Sequence, residues 1–150
     1  MNAENTAADR ERILANLRDL LARVLACEGY DRELDADVVV ALEGGEIGWR
    51  QANFTMEQHP YIRRPSGMHV GGFAREPVPA VTFSVDAALG LAMRTLSPQN
   101  IVVNLSGQPR CTVVLRPSVD ACHSAEGQLD AAVAIVAATL KAHIARHETG

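Results

Sequence analysis

The run "NIVVNLSGQPRCTVVLRPS", residues 100–118, constrains the fold most. Two β-rich segments, "IVVNL" and "CTVVL", flank the five-residue loop "SGQPR" with its Gly107 and Pro109. That is the chemistry of an antiparallel hairpin. Ile101, Val103 and Leu105 share one face of the first strand, with Val102 on the other. Cys111, Val113 and Leu115 share a face of the second, with Val114 opposite. The alternation is imperfect, so both faces are expected to be covered.

Helical patterns supply the cover. Residues 6–27 place Ile13, Leu17, Leu20, Leu21, Val24 and Leu25 at helical spacing, with Gly29 as a stop. "DRELDADVVVALEGG", 31–45, is read as a second helix capped by Asp31. Glu33, Asp35 and Asp37 suit its positive end, where a capping role outweighs acid/base work. Leu34, Val38, Ala41 and Leu42 are its buried stripe, and Gly44-Gly45 ends it. The β-branched Val38–Val40 run also suits a strand, but the acids crowded at its start favour helix. Ser84 opens a third helix, with Val85, Leu89, Ala92, Met93 and Leu96 as its apolar face, closed by Ser97-Pro98. A last helix, roughly 124–147, carries Leu129, Val133, Val136, Leu140 and Ile144 in one stripe, and its many alanines permit close packing. "EIGWRQANF", 46–54, predicts a short strand.

This order predicts an α+β chain: a single-domain α-β-α sandwich over 1–150, with one small antiparallel sheet flanked by helices. The helix within 1–28 is expected to be an N-terminal addition. Residues 55–80 are expected to form a long basic Pro/Gly-rich loop.

Charge isolates that loop. Residues 1–48 carry eleven acids against five bases, whereas residues 49–80 carry four bases against two acids. The excess is too small for a nucleic-acid footprint but enough for one small anion. Arg63 and Arg64 offer forked donors, with Arg50 and Arg75 nearby and Trp49, Tyr61 and Phe73 for stacking. With His69, these residues are the candidate ligand site, suited to a nucleotide. A plain surface loop stiffened by Pro60, Pro65, Pro77 and Pro79 is the alternative.

Three stretches together look familiar: "CEGYDRELDADVVVALEG", "AVTFSVDAALGLAMRTLSP" and "QLDAAVAIVAATLKAHIA". Across roughly residues 26–146 the chain resembles the phage α-β-α sandwich domain family of small phage and prophage proteins. The matching residues are caps (Asp31, Ser84) and packing residues (Ala87, Ala88, Leu89). The resemblance implies a sandwich fold and a phage or prophage origin, and no catalytic residue. The chain departs from the family's pattern in its longer, more basic central segment and in His143 and His147.

Other chemistry is poorly supplied. His143 and His147 share a helix face, but the segment between them lacks the Glu of H-E-x-x-H, and a solvated helix end explains them. Cys111, Cys122 and His123 fit no zinc spacing, and Cys111 is expected in the core. No G-x-S-x-G or G-K-[ST] occurs, and Lys141 is the single lysine. Three scattered cysteines indicate a reducing compartment. The N-terminus lacks an apolar h-region, and no apolar run suits a membrane helix. The expectation is a bacterial cytosolic, non-enzymatic protein without metal or cofactor. It binds and sequesters a small anionic or nucleotide ligand, such as a host defence signal. The alternative is a structural or assembly accessory. An Ala-rich helix face can self-pair, so a homodimer or higher homo-oligomer is expected. Neither nucleic acid nor membrane is an expected partner.

Overall fold

A computed structural model describes residues 3–51, 58–65, 73–107, 110–118, 121–125 and 130–149. Within these, residues 3–5, 50, 51, 64, 65, 73–75, 105–107, 110 and 111 are described by backbone alone. The elements are α1 (Ala3–Leu25), α2 (Arg32–Glu43), β1 (Glu46–Gln51), β2 (Gln58–Pro65), β3 (Phe73–Pro77), α3 (Val85–Leu96), β4 (Asn100–Gly107), β5 (Arg110–Ser118), β6 (Ala121–Ala125) and α4 (Ala131–Thr149). The class is mixed α+β. The expected single sheet is replaced by two three-stranded antiparallel sheets, ordered β1-β2-β3 and β4-β5-β6.

α4 is the centre. The sequence gives it one apolar stripe, yet every residue from Ala132 to Leu140 is buried. Its alanines let α1, α3 and the β4–β6 sheet all approach the same helix. Each Val, Leu or Ile fully buried there contributes about 1.5–3 kcal/mol. The Ala-rich face expected to pair with a second copy is therefore consumed inside the protomer.

α1 is no appendage. Its Leu14, Leu17, Leu20 and Val24 join the common core, while Ile13 and Leu25 are exposed. The stripe thus runs through Leu14 rather than Ile13, about 100° further round the helix. α3 is turned in the same way: Ala88, Leu91, Ala92 and Leu96 are buried, and Val85 and Met93 are exposed. Both predicted caps form. The Asp31 carboxylate accepts from the Leu34 N–H, and the Ser84 hydroxyl from the Ala87 N–H. Gly44 and Gly45, at φ 79° and 100°, turn the chain from α2 into β1 through backbone that L side chains rarely adopt. Ser97 closes α3 in the left-handed region at φ 46°.

The hairpin at 100–118 forms, with Val102 directly opposite Val114. Val113 and Leu115 are buried, Ile101 and Val103 half-buried, and Val102 exposed. The expectations for Leu105 and Cys111 concern side chains outside the described residues. β6 replaces the expected start of the last helix, which opens only at Ala131.

The 55–80 loop is the largest correction. Residues 58–65 and 73–77 are strands, and with β1 they form a meander resting on α2. Prolines hide it in the sequence. Pro60 sits inside the central strand, where its missing N–H weakens the strand signal. Its carbonyl still accepts from the Val78 N–H at 3.2 Å. Pro65 and Pro77 fall at strand ends, where no further ladder donor is needed.

Candidate functional site

The meander sorts the basic and aromatic residues by register. Glu46 pairs with Arg63, and Arg63 with Arg75; Gly48 pairs with Tyr61, and Tyr61 with Pro77; Arg50 pairs with His59. These three rows share one face. Ile62 and Pro60 are buried, so the Tyr61–Arg63 face is the one turned from the core. Trp49 and Arg64 pair with Pro60 and Ala74, in rows on the opposite face. Trp49 keeps 45% of its surface exposed there. The eight candidate residues therefore do not form one cluster. The register gathers Arg50, Tyr61, Arg63 and Arg75, and Phe73 stands opposite Pro65 at the end of the same face. His69 lies outside the described residues.

Gly48 is what lets the middle row lie flat. A side chain at Gly48 would overlap the Tyr61 ring, so the ring lies directly across the glycine backbone. The basic rows flank this ring, each two residues along the strand and so about 7 Å away. Arg63 and Arg75 bring two positive charges to directly facing positions, an arrangement that costs stability unless an anion or acid answers it. Glu46 stands opposite Arg63 on the other side, so the row of Glu46, Arg63 and Arg75 has a formal charge of +1.

A second constellation was not anticipated. Asp35, expected among acids favoured by the helix dipole, is wholly buried. Its carboxylate accepts from the Thr82 N–H at 2.7 Å and from Arg32 at 2.9 Å. Arg32 also donates to the Val78 carbonyl at 2.7 Å, and the Asp31 N–H donates to Thr82 Oγ1 at 3.0 Å. Burial raises the Asp35 pKa above the usual carboxylate value, and bonds from Thr82 and Arg32 oppose the shift. The clasp joins the "DRELDA" segment to the segment just before α3. Arg32 lies 5.7 Å from the Tyr30 ring centroid, and Tyr30 meets Phe83 edge-on at 5.4 Å. An open depression of about 780 Å³ borders Cys27, Tyr30 and Arg32. The sequence signal was the Arg32–Asp35 spacing of three, which places both on one side of α2.

His143 is likewise not in a loose helix end. It is half-buried, with Nε2 3.0 Å from Thr95 Oγ1. The Thr95 hydroxyl donates to the Leu91 carbonyl at 2.8 Å, so it accepts from a His143 Nε2–H. Burial first, then Arg146 and His147, lowers the His143 pKa to about 4. Arg146 donates to the Leu96 carbonyl at 3.2 Å and so helps finish α3. Cys122 is exposed and His123 half-buried, both beside a second pocket of about 440 Å³. Among the described residues, no group of three His, Cys, Asp or Glu is placed to hold a metal ion. No helix among them is long and apolar enough to cross a membrane.

Comparison with family models, with characterised proteins and with solved structures finds no match to this chain.

Proposed function

We propose that this protein binds and sequesters a small nucleotide-type anion on the outer face of β1–β3, without transforming it. The supporting observation is the Tyr61 ring laid across Gly48 between the Arg63/Arg75 and Arg50/His59 rows. A flat aromatic surface accepts a base, and arginines in the neighbouring rows supply guanidiniums of the kind that suit its phosphates. The phage resemblance of the three quoted stretches gives the binding a purpose. A small phage protein in a bacterial cytosol can withdraw a nucleotide signal made by host defence.

The test is thermal stability of the purified chain against a panel of cyclic and ADP-ribose-type nucleotides. A ligand present at a hundred times its Kd stabilises by about 2.7 kcal/mol. For a chain of this size that raises Tm by about 5–10 °C. Arg63→Ala should abolish the rise. No shift with any nucleotide refutes the proposal, and recovery of the protein in purified virions would then point to an assembly role.

A further inference from the structure

β4 is an edge strand without the usual protection. Sheet edges are normally blunted by charge, proline or shortness. β1 carries Glu46 and Arg50, β3 carries Arg75, Glu76 and Pro77, and β6 is only five residues long. β4, "NIVVNLSG", has eight residues with neither charge nor proline. One side of it pairs with β5, and among the described elements no strand pairs with the other.

Its sequence is also symmetric about Val102. Moving outward, Ile101 faces Val103 in kind, and Asn100 matches Asn104. The symmetry extends to burial. Ile101 and Val103 are half-buried on the α4 side, while Asn100, Val102 and Asn104 are exposed on the other. Val102 is 54% exposed.

We propose that β4 pairs antiparallel with β4 of a second copy, across a two-fold axis at Val102. Val102 then lies against Val102 of the partner subunit, with Ile101 opposite Val103 of the partner subunit. Asn100 stands opposite Asn104 of the partner subunit. Every pair matches apolar with apolar or amide with amide. Residues directly opposite in an antiparallel ladder point to the same side. Centring on one residue meets that condition, and it keeps both copies of α4 on the same side. Two three-stranded sheets become one of six, an ordinary size. The second copy is the favoured occupant because the strand is its own complement. The pairing is independent of the anion-binding proposal, since it uses the other sheet.

Light scattering of the eluting full chain, over a wide concentration range, tests this. The wild type should reach twice the protomer mass. Val102→Lys and Val102→Asp each place like charges at the axis and should weaken the dimer by at least about tenfold. Mixed in equal amounts, the two variants should recover a dimer of one Lys and one Asp chain. Circular dichroism checks that each variant is folded. Hydrogen exchange of wild-type amides 100–104 adds a measurement free of substitution, and should slow as concentration rises. A wild type that stays monomeric overturns the proposal. So do variants that dimerise unimpaired, folded variants that fail to combine, or exchange at 100–104 that ignores concentration.

Discussion

Replacing Asp35 by Ala should be among the most damaging single changes in this chain. The substitution removes the buried acceptor of the Thr82 N–H and the counter-charge of Arg32, whose side chain is only 19% exposed. An orphaned buried N–H costs about 1–3 kcal/mol. Leaving one partner of a buried ion pair uncompensated brings the total to about 3–5 kcal/mol. Against a typical stability of about 5–15 kcal/mol, that is a large fraction. It corresponds to a Tm lower by roughly 6–20 °C. Urea and thermal unfolding followed by far-UV circular dichroism would measure it. Asp35→Asn keeps an oxygen for Thr82 but not the charge for Arg32, so its loss should be smaller. The clasp does not hold α2 to the segment before α3 if Asp35→Ala costs less than about 1 kcal/mol, or if Asn is as harmful as Ala.

Two further outcomes follow from other parts of the structure. His143 has a folded pKa of about 4 against an ordinary 6.5, so the unfolded chain binds its proton first as pH falls. The stability it contributes is complete above pH 6.5 and is lost on descending to about pH 4, up to about 3 kcal/mol. His143→Gln should flatten that part of the stability-versus-pH curve, and an unchanged slope would contradict the assignment. Gly48→Ala should change unfolding free energy by less than about 1 kcal/mol, because the tip of the Tyr61 side chain can yield. It should nevertheless remove the nucleotide-induced rise in Tm, and retention of that rise would show that the flat ring is not needed.

How much was legible in the sequence depended on how local the governing chemistry is. Asp31 and Ser84 were readable as caps because a cap bonds within three residues of itself. The 100–118 hairpin was readable from its alternation. The β2–β3 pair was not, because Pro60, Pro65 and Pro77 are normally signs against a strand. β6 was missed because "ACHSA" lacks β-branched residues. The candidate site was half legible. Its Arg and Tyr were identified, but only the register separates Tyr61 and Arg63 from Trp49 and Arg64. The Asp35–Thr82 bond spans 47 residues, a separation that no local pattern encodes.

The central place of α4 also bears on how the protein is made. A ribosome delivers α1, α2, both sheets and α3 before the first residue of α4. Until then α1, α3 and the β4–β6 sheet lack the helix on which they meet. Until α4 emerges, the growing chain, lengthening at about 5–20 residues per second, therefore carries Leu, Ile and Val surfaces without the helix that covers them. Surfaces exposed in that interval favour aggregation, and folding waits on contacts between α1 and α4, which lie far apart in sequence. A chaperone that shelters nascent chains would act in that interval, by covering the faces that α4 later covers.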